Sequence, residues 1–175
     1  MVFGAAVEGA DLLVEGGPVV LCANHIAWWD PPLVGVAARR KVSFMAKEEL
    51  FANQLVARVL RSVGAFPVKR GVPDRNAIRH ALALLERGEV VGMFPEGTRS
   101  KSGELQKGLH GAALLALKSG AWVVPAGISG AYRPGGRLRI RFGQPFRLED
   151  GGNRSDAMTR GSEQIMESIA GLLQS

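Results

Sequence analysis

Short apolar runs closed by Gly, Pro or Asn, alternating with segments of helical period, constrain this chain more than any other feature. Residues 18–23 (PVVLCA) lie between Gly17 and Asn24 and read as a buried strand. Residues 42–46, 65–68, 90–94 and 122–128 repeat the pattern. Between these runs, residues 31–38 predict a short helix; Pro31 and Pro32 suit its first turn, where no intrahelical N–H bond is lost. Residues 74–87 predict a helix opened by Asp74 and stopped by Gly88, and residues 108–119 one stopped by Gly120. Residues 48–63 predict one continuous helix that ends at Gly64. Its stripe is Leu50, Phe51, Leu55, Val56, Val59, Leu60 and Val63, with Arg58 and Arg61 off it. Leu138, Ile140 and Phe142 alternate with Arg137, Arg139 and Arg141, a half-buried strand with a basic face. From Arg154 a terminal helix turns Ile165, Ile169, Leu172 and Leu173 inward. Strands and helices in alternation indicate an α/β fold. With 175 residues and no linker to split them, the expectation is a single domain, 1–175, with a mixed, largely parallel sheet flanked by helices.

Charge bounds the partners. Lys and Arg number 22 against 16 Asp and Glu, a net charge of +6, which suits an anionic partner such as nucleic acid, an acidic membrane face or a phosphate-bearing ligand. The chain has one tyrosine and no interleaving of basic and aromatic residues of the RNA-binding kind, so nucleic acid is not the expected partner. The longest stretches free of Asp, Glu, Lys and Arg, 16–29 and 119–132, are 14 residues each and contain Pro and Gly, too short to span a bilayer. The first residues, MVFGAAVEGADLL, lack a basic leader and a long apolar core and do not read as a signal peptide. One cysteine, Cys22, excludes an internal disulfide, and neither HExxH nor clustered carboxylates suggest a metal.

Two polar segments directly follow predicted strands, where α/β folds place ligands. In Asn24-His25-Ile26-Ala27-Trp28-Trp29-Asp30, a tight turn brings the carboxylate onto one ring nitrogen of His25 and leaves the other as a base. A loop histidine beside a helix-capping Asp30 is the alternative. In Phe94-Pro95-Glu96-Gly97-Thr98-Arg99-Ser100, Gly97 admits close approach, Thr98 and Ser100 offer hydroxyls, and Arg99 offers a fork for phosphate oxygens. Glu96 is out of place in a phosphate pocket; it either binds a ligand hydroxyl or holds an arginine. The alternative is an ordinary polar turn. A third segment, residues 64–71, ends in Lys69, Arg70 and Gly71, either a phosphate donor or a solvated charge pair.

The order and spacing of NHIAWWD, GAFPVKRG, FPEGTRS and VVPAG resemble the glycerolipid acyltransferase family over residues 16 to about 148. The form FPEGTRS is most similar to the branch that acylates 1-acylglycerol 3-phosphate; a related acyltransferase acting on glycerol 3-phosphate or another lysolipid, and a non-catalytic lipid-binding module, are the alternatives. The resemblance implies His25 and Asp30 as the catalytic pair and Arg70 at the substrate phosphate. It implies Glu96, Gly97, Thr98 and Arg99 at the acceptor, Pro125 shaping the acyl-donor site, and Lys107 in a lysine–glycine step before a helix. It further implies acyl-CoA or acyl carrier protein as donor, lysophosphatidate as acceptor, and no cofactor or metal. Direct attack is expected; Cys22 reads as a small buried hydrophobe and not as a nucleophile.

Members of the family usually carry an N-terminal apolar helix, whereas this chain begins almost at its first motif-bearing strand. The expectation is peripheral attachment to an anionic membrane surface, on the cytoplasmic face. Arg39-Arg40-Lys41 and the arginine strand are the candidate contacts. The stripe of residues 48–63 is expected to face the core, with interfacial contact as its alternative. Trp28 and Trp29 either meet the membrane interface or the acyl chain, or pack with one in the core and the other covering it.

Overall fold

A computed structural model describes residues 5–13, 16–69, 74–133 and 136–174. The strands are β1 (Ala6–Glu8), β2 (Val19–Ala23), β3 (Val42–Lys47), β4 (Phe66–Val68), β5 (Val90–Met93), β6 (Trp122–Ser129) and β7 (Arg139–Phe142). The helices are α1 (Asp30–Ala37), α2 (Gln54–Ser62), α3 (Arg75–Glu86), α4 (Gly111–Ser119) and α5 (Arg154–Gln174). The strands form one sheet in the order β1-β7-β6-β2-β5-β3-β4. β2, β3, β4, β5 and β6 run parallel, and β7, with β1 beside it, runs against them.

Alternation along the central strand sorts the core into two layers. Val19, Leu21 and Ala23 face Leu33, Val34 and Ala37 of α1. Val20 and Cys22 face the other way, toward buried residues of α3, α4 and α5 such as Ala81, Ala112 and Ile169. A run buried on both faces has no polar position to offer, which is why residues 19–23 are apolar throughout.

Two expectations are corrected here. The continuous helix over residues 48–63 is broken: a 3-10 turn (Glu48–Phe51) precedes α2, and the Asn53 side chain accepts from the N–H groups of Leu55 and Val56. An Asn that caps competes with helix continuity, and here it wins. The stripe is also not turned inward. α2 buries the small Ala57 and leaves Leu55 76% and Val59 63% exposed. The basic face of the arginine strand includes one acid from its neighbour: Glu8 of β1 meets Arg139 at 3.4 Å and Arg141 at 2.8 Å. Leu138, Ile140 and Phe142 do face inward, as do Ile165 and Ile169; Leu172 and Leu173 are half-buried.

Gly92 has no room for a side chain. A Cβ there would overlap the ring of Phe44 across the β3–β5 pair. Phe44 stacks on Phe94 at 5.6 Å, and Phe94 stacks on His25 at 4.1 Å. Gly92→Ala is therefore expected to destabilise the fold by about 1–3 kcal/mol in urea unfolding, the usual scale of overpacking. It should also disturb His25, seen as reduced turnover in the protein that remains folded.

Candidate active site

β2 and β5 are neighbours in the sheet, so the two loops that leave their C-terminal ends must meet. They are bonded to each other. The backbone N–H of His25 donates to Glu96 Oε1 at 2.7 Å, and the N–H of Ser100 donates to the His25 carbonyl at 2.8 Å. Asn24 fastens the same loop on the other side. Its amide exchanges two hydrogen bonds with the backbone of Ile128 in β6, at 2.9 and 2.7 Å, in place of a further strand residue.

Asp30 opens α1 and is fully buried. Its Oδ2 accepts from His25 Nδ1 at 2.7 Å and from the N–H groups of Ile26 at 2.6 Å and Ala27 at 2.7 Å. Its Oδ1 accepts from the Tyr132 hydroxyl at 2.7 Å. Asp30 does not cap the helix: Trp29 is the N-cap of α1 with no side-chain cap bond, and the Asp30 carboxylate instead ties up the turn before the helix and holds the imidazole. With Asp30 accepting at Nδ1, the proton sits on Nδ1 and Nε2 carries the lone pair. Phe94 lies against the imidazole face with 20° between the ring planes. His25 itself is 6% exposed.

Glu96 holds no arginine. Its Oε1 takes the His25 N–H and its Oε2 takes the N–H of Gln106 at 3.0 Å. Burial pushes its carboxyl above the usual range, partly offset by those two donors. Gly97 has φ 70°, and a Cβ on it would crowd Leu109, 2.6 Å away. Thr98 is exposed, and the Arg99 guanidinium lies 4.1 Å from the centre of the Trp28 ring. Trp28 and Trp29 are 63% and 58% exposed, so neither packs in the core.

Beside this loop opens a cavity of about 1010 Å³ between α3 and α4. Met45, Ile78, Leu82, Met93 and Leu114 make it apolar, and Lys69, Arg75, Arg79 and Lys118 add cations to its wall. Phe94, Glu96, Gly97 and Thr98 form the wall nearest His25. Asp74, also on this wall, caps α3 and accepts from the Lys69 N–H, and these backbone donors hold its carboxyl below the usual range.

Three sequence candidates stand apart. Arg70 lies outside the described residues. Lys107 is exposed and is not part of the cavity wall. Pro125 is buried within β6 opposite Cys22, its carbonyl accepting from Gly143, and does not reach the cavity either. Cys22 is fully buried, and the cost of desolvating its thiolate pushes the thiol up to about 12. Among the described residues no group of three or more His, Cys, Asp or Glu gathers as a metal site. Tyr132 and Asn24 received no role from the sequence. The one signal for Tyr132 was chemical: a partly buried phenol needs a partner, but that partner is 102 positions away.

A buried imidazole–carboxylate pair thus stands at a strand end, beside an apolar cavity with cationic walls. A family model described as Acyltransferase matches residues 4–129, and the chain belongs to that family. It is 33% identical over 146 residues to the 1-acyl-sn-glycerol-3-phosphate acyltransferase of Bacillus subtilis, covering 80% of this chain and 72% of that one. It is 34% identical to the enzyme of the same name from Streptococcus pneumoniae, covering 75% of this chain and 51% of that one, about half its length. A lyso-ornithine lipid O-acyltransferase of Pseudomonas aeruginosa is 36% identical over 68% of this chain and 45% of its own. The crystal structure of the Thermotoga maritima 1-acyl-sn-glycerophosphate acyltransferase superposes with a TM-score of 0.75, over 96% of this chain and 71% of that one, at 24% identity.

Two substitutions separate bracing from ligand contact. Glu96→Gln places an amide donor where a second acceptor is needed. It is expected to lower stability by about 1–3 kcal/mol, read from unfolding midpoints, and nearly as much as Glu96→Ala. Tyr132→Phe leaves Oδ1 of Asp30 short of a donor and should lower kcat about tenfold, the scale of a hydrogen bond to a charged group, with KM for the acyl donor little changed.

Proposed function

We propose that this protein transfers a fatty acyl group from a thioester, acyl-CoA or acyl carrier protein, to the sn-2 hydroxyl of 1-acylglycerol 3-phosphate, giving phosphatidate. The observation that carries this reading is the His25 Nδ1–Asp30 contact of 2.7 Å beside the apolar cavity.

Nε2 of His25 takes the hydroxyl proton as the oxygen attacks the thioester carbonyl. Collapse of the tetrahedral intermediate breaks the C–S bond, and the imidazolium returns the proton to the departing thiolate. Asp30 stays ionised and steadies the imidazolium; proton transfer by such a pair supplies roughly 10²–10⁴-fold. Arg99, with Arg70, holds the phosphomonoester and so positions the hydroxyl. The acyl chain lies along Met45, Ile78 and Leu82 in the cavity. Glu96 keeps the two loops in register and does not bind the acceptor, since both its oxygens are occupied by backbone N–H groups.

The similarity to lyso-ornithine lipid acyltransferases supports a second acceptor class, with the same chemistry at a different headgroup. A thiol-release assay with acyl-CoA and a panel of lysolipids decides. Release is expected to require 1-acylglycerol 3-phosphate and to vanish in His25→Ala. Release with lyso-ornithine lipid alone would reassign the acceptor.

Direct transfer also predicts that Cys22→Ala keeps most of its activity and that the native thiol, fully buried and held in its protonated form by that burial, resists thiol reagents at pH 8. Rapid labelling of the folded protein at Cys22, with turnover lost in parallel, would favour a covalent route.

A further inference from the structure

Eight large hydrophobic side chains are exposed among the described residues, and seven of them belong to the segment Trp28–Val63: Trp28, Trp29, Val36, Leu55, Val56, Val59 and Val63. Five of them, Val36 on α1 and Leu55, Val56, Val59 and Val63 on or at the end of α2, belong to helices on one side of the sheet. α1 packs on the layer formed by Val19, Leu21 and Ala23, while α3 and α4 pack on the opposite layer. The connections β2–α1–β3 and β3–α2–β4 step the same way along the sheet, and the connections through α3 and α4 step back. Right-handed crossovers therefore set α2 on the side of α1.

α2 is inside out for a helix of a soluble layer. Leu55, Val59 and Val63 recur every four residues on its outer face, whereas the side it buries is Ala57. Arg58 and Arg61 are exposed beside that face. Charge is concentrated in the same stretch. From Pro31 to Pro73 the chain has eight Lys and Arg and two acids, an excess of six that equals its whole net charge of +6. The two acids are already met by lysines: Lys47 lies 3.0 Å from Glu49, and Lys69 lies 4.0 Å from Glu48. Arg39 and Lys41 follow α1 and are exposed.

We propose that the outer face of α1 and α2 is the surface by which this protein docks on an anionic lipid bilayer. Leu55, Val56, Val59 and Val63 enter the interface, and Arg39, Lys41, Arg58 and Arg61 lie at the headgroups. An apolar face bordered by cations matches an acidic leaflet in both of its layers. Trp28 and Trp29, in the catalytic turn itself, set His25 beside that leaflet. The proposal rests on the reading that the acceptor is a membrane lysolipid, and it adds the route by which the site reaches it.

The test is co-sedimentation of the full chain with vesicles of phosphatidylcholine alone and of phosphatidylcholine mixed with phosphatidylglycerol. The wild type is expected to bind the mixed vesicles about tenfold or more tightly than the neutral ones, with affinity falling as salt rises. Leu55→Ser/Val59→Ser is expected to weaken that binding at least about tenfold. Both positions are largely exposed, so its fold is retained, and its turnover of a water-soluble, short-chain 1-acylglycerol 3-phosphate should match the wild type. His25→Ala should bind the vesicles as the wild type does, so failure of the catalytic reading is distinguishable from failure of docking. Equal binding by wild type and Leu55→Ser/Val59→Ser overturns the proposal. So does a wild-type dimer in size exclusion that the same substitutions convert to monomer, which would assign the face to a second copy of the chain.

Discussion

The carboxylate of Asp30 holds more of this site together than any other group. It has no exposed surface, and a buried charge is tolerable only when its lone pairs are filled. Here they accept from an imidazole, two backbone N–H groups and a phenol. Each donor belongs to a different requirement. Ile26 and Ala27 define the turn that leaves β2, His25 gains a fixed tautomer, and Tyr132 ties in the segment that follows β6. Removing the carboxylate leaves all of these donors without a partner at once, while neutralising it to an amide presents some of them with another donor.

Glu96 repeats the device with a different result. It too is buried and receives backbone N–H groups, but from two separate segments and with no imidazole. One carboxylate thus orients an imidazole, and the other fastens the loop bearing Gly97, Thr98 and Arg99 to the loop bearing that imidazole. Neither loop lies in the sheet, yet each is held as firmly as a strand because its donors end on buried acceptors. Among the described residues, no buried side-chain nitrogen or oxygen lacks a hydrogen-bond partner.

The sheet was legible because burial on both faces forces apolar runs that few other structures require. The meeting of the two polar loops followed from motif spacing and family resemblance; their contact depends on β2 and β5 being adjacent, which the residues alone do not state. Three features escaped for physical reasons. The Asn53 cap was hidden inside a stripe whose period continued across it. The direction of that stripe was hidden because hydrophobic period reports a face and not what covers it. The Arg139–Glu8 and Arg141–Glu8 pairs join the basic strand to a segment more than 130 positions away, so this acid did not show in the strand's own pattern. Pro125 departs from the usual avoidance of proline in inner strands; it lies in β6 opposite Cys22.

In the proposed reaction the ionised Asp30 carboxylate, acting through His25, makes acyl transfer fast. The most direct measurement is the rate of acceptor-dependent thiol release by Asp30→Asn, taken on protein whose unfolding curve shows it to be folded. A fall of about two to four orders of magnitude is expected, with acyl-donor binding retained. Turnover within a few-fold of the wild type in that folded variant would contradict this role of Asp30.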